Sequence, residues 1–470
     1  MILVIAINII AVGWLLMAAV SWGLEETLPG VAFMLLLLPQ ESQITLPSLF
    51  GLSTHRILIF VLVLLYLALG SGKGKREQTR RLPLCILIGL QIVWMLLSSA
   101  TSIVPSISFK TSLSQFFDFF VLYMIFASVV SKVETVHKIM FGFVAAMFVC
   151  SIFGMLEAYS GWSVMSLFPS VPLRFSDLEG TVQDRGIRMQ ATFDHPILFG
   201  SALTMVFPMA LYLLAESKQM GRKAFLWAAL LLAALCIYKT GSRGPWLAFA
   251  LSIGLLLLAG RGKVRKYAAV IMLLVLVVLA VRPGIRESLS NSYNATRDPS
   301  SPEGQSYQWR YLLYHVAFGQ LEKSTERSLL GFGPESFYYL GLTAPFLVDG
   351  EIHTVKIQSC DSAVVELLMD TGYVGLILTV LPLLTACGFA LRRHLRLEKK
   401  DSSPCAVWFV VIFLFMFLMT NVELYGWGQQ NYALWIVVAM AMISPRLERE
   451  NRDEAKRILP QSQWLEVTAP

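Results

Sequence analysis

The feature that most constrains this chain of 470 residues is a series of apolar runs, most of them roughly 15 to 22 residues long, separated by short clusters of charge. A run of that length covers about 30 Å of hydrocarbon as a helix, and a helix satisfies its own backbone hydrogen bonds, which lipid cannot do. The runs fall at residues 1–20, 56–70, 83–100, 114–130, 138–158, 195–215, 223–239, 245–260, 267–281, 364–390, 405–420 and 427–444. They predict an all-α, polytopic membrane helix bundle of about 12 transmembrane helices. Composition agrees: 56% of residues are hydrophobic, above the share of about one half usual for soluble chains. The first run lacks a basic leader and a small-residue cleavage site, and reads as a retained helix. Residues 28–38 are apolar but too short to span unless extended or re-entrant; if they cross, the N-terminus changes sides.

Charge sets the orientation. Basic residues cluster in every second connection: Lys73, Lys75, Arg76, Arg80 and Arg81; Lys132 and Lys138; Lys218, Arg222 and Lys223; Arg261, Lys263, Arg265 and Lys266; Arg392, Arg393, Arg396, Lys399 and Lys400. The positive-inside rule places these in the cytoplasm, and both termini with them. The same loops account for the net charge of +7; no basic stripe with interleaved aromatics points to nucleic acid. The chain divides into N-terminal transmembrane helices (1–158), central helices with an outer loop at 159–194 (159–281), a large outer loop (282–363), C-terminal helices (364–444) and a cytoplasmic tail (445–470). Of six cysteines only Cys360 lies in a polar loop, and no ligand spacing suggests a disulfide framework or a metal site. In the large loop, Trp309, Leu312, Leu313, Val316 and Leu321 form an amphipathic helix expected to stop at Gly331 and Gly333.

Arginines on the outer side break the depletion expected there: Arg174, Arg185, Arg188, Arg243 and Arg310. Arg243 lies in Thr240-Gly241-Ser242-Arg243-Gly244, with Pro245 opening the next helix. Free N–H groups, the Ser242 hydroxyl and a guanidinium make an anion site that suits a diphosphate; the competing reading is a snorkelling or ion-paired arginine. Arg174 and Arg185 have no such setting and read as surface charges. His195, in Phe193-Asp194-His195-Pro196, stands at the outer start of a helix where Asp194 can cap; the imidazole reads equally as a base, a diphosphate partner or a structural hydrogen-bonding group. His353 reads as solvent-exposed. Asp361 and Glu366 stand where the chain re-enters apolar sequence, a costly depth for carboxylates and commonly a functional one, although Asp361 also fits a helix N-cap.

These runs, Arg188 with Thr192 to Pro196, Thr240 to Gly244, Arg310 followed by Gly331-Phe332-Gly333-Pro334-Glu335-Ser336-Phe337, and Asp361 to Gly372, together resemble the O-antigen ligase and O-antigen polymerase superfamily. The resemblance covers residues 185–385 by motif and the N-terminal helices by hydropathy. It implies a GT-C-like membrane glycosyltransferase of the bacterial inner membrane that moves a glycan from an undecaprenyl-diphosphate carrier to a sugar hydroxyl on the periplasmic side, with no cofactor and no metal. Arg188, Arg243, Arg310 and Ser242 would hold the diphosphate, and Asp361, Arg310 and His195 would carry the chemistry. Ligases that attach O-antigen to lipid A core carry a histidine eleven residues before the glycine corresponding to Gly372; here that position is Asp361. The departure favours a polymerase of O-antigen or exopolysaccharide type, acting on a lipid-linked repeat unit beside a flippase and a chain-length regulator. His353, eight residues upstream, could substitute as base and keeps ligation to lipid A core, in lipopolysaccharide assembly, open; Glu366 is a further alternative base.

Two other classes compete. Transfer to protein hydroxyls, an O-oligosaccharyltransferase activity, fits the same motifs. A transporter of lipid-linked glycans fits the helix count, but the chain shows no internal repeat and concentrates its polar residues outside the apolar runs.

Overall fold

The computed structural model describes residues 2–44, 52–69, 83–168, 188–298, 301–348, 351–357, 360–397, 403–426 and 428–458. Arg174 and Arg185 lie outside them. In chain order the helices are α1 (Ile2–Trp22), α2 (Leu24–Leu37), α3 (Thr54–Leu69), α4 (Cys85–Ala100), α5 (Pro105–Val129), α6 (Val133–Ser160), α7 (Pro196–Glu216), α8 (Met220–Lys239), α9 (Arg243–Ala259) and α10 (Gly262–Val281). They continue with α11 (Pro283–Arg297), α12 (Pro302–Leu321), α13 (Thr325–Leu330), α14 (Ala363–Arg396), α15 (Cys405–Met419) and α16 (Gln430–Ile458). Each expected apolar run overlaps one of these helices, and among the described residues seven helices are long and apolar enough to cross a membrane. The protein is an all-α, membrane-type bundle.

Lipid supplies no hydrophobic drive between helices, so burial here reports packing order rather than solvent exclusion. By that measure α7 is the hub: nineteen of its residues are buried, among them Phe199, Phe207 and Tyr212. It packs against α6, α8, α9 and α15. At the other extreme α10 buries only Ala268 and Ile271 and turns Val270, Leu273, Leu274 and Val277 outward, the aliphatic surface of a lipid-facing helix.

Helix α2 corrects the expectation that both termini share one face. At 14 residues it is short for a span, yet its ends are tied to opposite faces. The Glu25 carboxylate accepts from Ser131 N (2.8 Å), Ser131 Oγ (2.6 Å) and Thr135 Oγ1 (2.8 Å), and Glu26 pairs with Lys138 Nζ at 2.8 Å. That is the face of the basic loops. Leu38 O, past the other end of α2, accepts from Gln429 Nε2, which also donates to Thr192 O beside His195. The chain start is therefore on the face that carries His195, whereas α16 ends on the face of the basic loops, where Glu448 pairs with Arg393 at 3.3 Å.

The large loop is built, not irregular. Helices α11, α12 and α13 are followed by an antiparallel hairpin of β1 (Thr343–Val348) and β2 (Glu351–Lys356), with Ala344 opposite Val355 and Phe346 opposite His353. A second, two-residue pairing joins Gln43–Ile44 to Leu52–Ser53. The expected amphipathic helix ends at Leu321 instead of running to Gly331; a separate short helix, α13, takes the chain there. Leu313, Ala317 and Leu321 of α12 meet Phe337, Leu342, Ala344, Ile357, Val365, Leu368 and Met369 in a small core distinct from that of the bundle, so the loop sits on the outer third of α14.

Candidate functional site

The site is organised by a break in α14. Gly372 has φ 68° and ψ −173°, non-helical values inside the helix, and a Cβ there would stand 2.3 Å from Leu329 O. Only glycine fits both the dihedral and the space. The break frees backbone carbonyls at a depth where unpaired polar groups are costly. The motif Gly331 to Ser336 satisfies them: Phe332 N donates to Met369 O (2.8 Å) and Gly333 N to Asp370 O (2.9 Å). Trp94 Nε1 donates to Thr371 O at 3.0 Å, and the Ser98 hydroxyl lies between Leu330 O and Asp370 O. The motif is buckled on its other side to the α4–α5 turn, where Ser108 Oγ donates to Pro334 O (2.7 Å) and Ser102 and Ser336 pair through their hydroxyls (3.0 Å). The sequence motif thus works as a backbone clamp that fixes the upper segment of α14.

Fixing that segment fixes Asp361 and Ser362. Ser362, not Asp361, is the N-cap of α14, its Oγ accepting from Val365 N. The capping explanation for Asp361 falls away. Its carboxylate instead faces Arg310 of α12, with Nη2 3.6 Å from Oδ2, and both side chains are partly exposed. Ser306 accepts from Arg310 Nη1 (3.2 Å), while Arg310 Nε is buried with no hydrogen-bond partner. One turn along α12, the Tyr314 hydroxyl pairs with Ser362 Oγ (3.0 Å).

The second half of the site lies at the N-termini of α7 and α9. Arg188 Nε donates to Thr240 O (2.9 Å) and Nη2 to Ser242 Oγ (2.7 Å), bracing the turn that precedes Arg243. Its own segment is held by the Glu157 carboxylate, which accepts from Gln190 N and Ala191 N, both at 2.9 Å. Arg243 Nη1 donates to the Thr296 hydroxyl on α11. His195, not Asp194, is the N-cap of α7, its Nδ1 accepting from Ile197 N at 3.0 Å. The side chain of His353, expected to be solvent-exposed, lies outside the described residues; its backbone belongs to β2. Val422 joins the two halves, since its carbonyl accepts from Ala363 N (3.0 Å) and its methyl group faces Gly244.

Glu366 is drawn into a different grouping. Its carboxyl is hydrogen-bonded to that of Glu423, which also accepts from the Tyr338 hydroxyl. Burial and the neighbouring carboxylates push the Tyr338 phenol upward, and burial raises Glu335. Glu423 escaped the sequence reading, although it carries the signal that marked Glu366, a carboxylate at the edge of an apolar run. Asp370 escaped for the same reason; its Oδ2 accepts from Glu335 N (2.9 Å). Among the described residues no group of three or more His, Cys, Asp or Glu side chains could hold a metal ion.

Fold and site define a multi-pass helical membrane protein whose polar groups gather on one face under a folded outer loop. Residues 228–380 match the Wzy_C family model, O-Antigen ligase, so that about a third of the chain is similar to the O-antigen ligase and polymerase superfamily. The match spans Arg243, Arg310, the Gly331 to Phe337 clamp and Asp361; Arg188 and His195 precede it. No curated protein matches the chain.

Proposed function

We propose that the chain transfers a glycan from an undecaprenyl-diphosphate carrier to a sugar hydroxyl on the periplasmic face of the inner membrane, as a polymerase of lipid-linked repeat units. The observation that carries this reading is the Arg310–Asp361 contact at 3.6 Å, with Arg310 Nε unpartnered beside it. At that separation the pair is an attraction rather than a hydrogen bond, and a diphosphate is a better partner for a planar guanidinium. When the carrier engages Arg310, the Asp361 carboxylate is freed from that contact to meet the acceptor hydroxyl and act as base. Asp361 takes the proton of the acceptor hydroxyl, the oxygen bonds to the anomeric carbon, and the bond from that carbon to the diphosphate oxygen breaks toward the carrier. Arg310, Arg243 and the uncapped N-terminus of α9 stabilise the departing charge, with Ser242 and Arg188 holding the turn that aims them. Asp361 in place of the ligase histidine supports polymerisation over ligation to lipid A core.

Reconstitution with purified carrier-linked repeat units tests this. Ladders growing on the carrier are the expected product. Label on lipid A core would make the chain a ligase, and label on protein an oligosaccharyltransferase. Passage of intact lipid-linked glycan across the membrane without transfer would overturn the enzymatic reading.

A further inference from the structure

Helix α12 carries three faces, and the site uses only one. Ser306, Arg310 and Tyr314, at four-residue intervals, form the edge turned to Asp361 and Ser362. Leu313, Ala317 and Leu321 face the small core. The third face holds Tyr307, Tyr311, His315 and Phe318. Tyr307, Tyr311 and His315 each follow a residue of the site edge by one position, which sets them about 100° around the helix from it. They are open: Tyr307 is 61%, Tyr311 66% and Phe318 39% exposed. Rings so exposed add nothing to the core. They are nevertheless held in an array, with Tyr311 and His315 edge to face at 4.5 Å and Phe318 leaning on Tyr314 at 6.5 Å.

The make-up of the stripe distinguishes its occupant. The lipid-facing surface of α10 is aliphatic, through Val270, Leu273, Leu274 and Val277, whereas each large exposed apolar residue on α12 is aromatic. Flat rings carrying a hydroxyl or an imidazole suit a surface that alternates C–H faces with hydroxyl groups, which is the chemistry of a pyranose. From residue 307 to 318 the stripe extends about 16 Å along the helix, longer than one sugar ring. It also runs directly beside the edge that bears Arg310 and Asp361.

We propose that Tyr307, Tyr311, His315 and Phe318 form an oligosaccharide-binding platform that lays the acceptor glycan along α12 and delivers its terminal hydroxyl to Asp361. The platform rests on the glycosyl-transfer reading for its purpose, but its binding can be measured without transfer. The probe is the oligosaccharide released from the carrier lipid of the native cells by mild acid, labelled at its reducing end and titrated onto the full-length protein in nanodiscs. This probe has neither diphosphate nor lipid. The Tyr307→Ala, Tyr311→Ala double variant is expected to bind it at least tenfold more weakly than the wild type, while Tyr311→Trp, which keeps a ring, stays within about twofold. Equal affinity in the double variant overturns the platform, as does absence of saturable binding to the wild type. A stripe that lies on the bilayer is detected with Tyr311→Trp, whose added fluorescence brominated lipids would then quench; quenching also overturns the proposal. Ring-dependent binding in a protein that transfers nothing would leave the platform standing and remove the enzymatic reading alone.

Discussion

Arg188 and Arg310 are the same residue type on the same face of the bundle, and they are employed in opposite ways. Arg188 directs its guanidinium to Thr240 O and Ser242 Oγ at 2.9 and 2.7 Å, ordinary hydrogen-bond lengths to oxygens of its own chain. Arg310 meets Asp361 at 3.6 Å and leaves Nε without a partner. A guanidinium satisfied by the fold shapes what surrounds it; one held loosely has capacity for a ligand. The comparison separates a braced region, the turn from Thr240 to Arg243 with the start of α7, from a poised one, the edge between α12 and α14.

The sharpest way to break that contrast is to remove the poised groups. Arg310→Ala is expected to lower the transfer rate by about 10²–10³-fold, the scale of losing one preorganised stabiliser of developing charge, with little change in melting temperature. Arg310→Lys should recover little of it, because the fork is lost although the charge remains. Asp361→Asn should abolish transfer and leave carrier binding largely intact. If rates survive these changes, the poised edge is not where the reaction happens.

The scaffold beneath that edge comes next. Gly372→Ala puts a Cβ against Leu329 O in a left-handed conformation, which costs about 2–4 kcal/mol from backbone strain and crowding together. Thermal unfolding in detergent should show the loss as a lower melting temperature. The loss of activity should follow from displacement of Asp361, so adding carrier in excess should not restore the rate. Arg188→Ala is expected to act in the reverse sense to Arg310→Ala, lowering stability by about 1.5–3 kcal/mol through the two lost charge-assisted hydrogen bonds. A variant at Arg188 that melts normally but fails to bind carrier would move it from the braced region to the poised one.

Much of this arrangement was legible and some was not, for reasons of range. Apolar runs are local, and each became a helix. The arginines stood out because outer loops disfavour them; Arg243 opens α9, whereas Arg310 lies midway along α12 and faces Asp361 just ahead of α14. What the chain hides is pairing over distance. The direction of α2 depends on Glu25 meeting Ser131 and Thr135, more than a hundred residues on, and no window around residue 28 contains that. The clamp role of Gly331 to Ser336 depends on the break at Gly372, and nothing local distinguishes Gly372 from Gly375 or Gly388 in the same apolar run. The β1–β2 hairpin has a local signal, Asp349-Gly350 between runs that contain apolar residues, which is a hairpin-forming pair.

The smallest expected effect bears on His195, and it decides whether the braced region has any part in the chemistry. Its Nδ1 accepts the Ile197 N–H at the start of α7, and Pro196 occupies the next position, where a missing N–H costs nothing. That role needs only an acceptor at the right place. His195→Asn supplies one, so its melting temperature should match the wild type, whereas His195→Ala should lose about 1 kcal/mol, the usual worth of an N-cap. Because α7 is the buried hub of the bundle, an uncapped start there is transmitted to Gly200, which packs one turn later against Pro245 and Thr240. A modest fall in transfer for His195→Ala is then a positional effect and should track its stability. If His195→Asn keeps full stability and still loses transfer, capping is not all the imidazole does, and the braced region reaches the reacting groups after all.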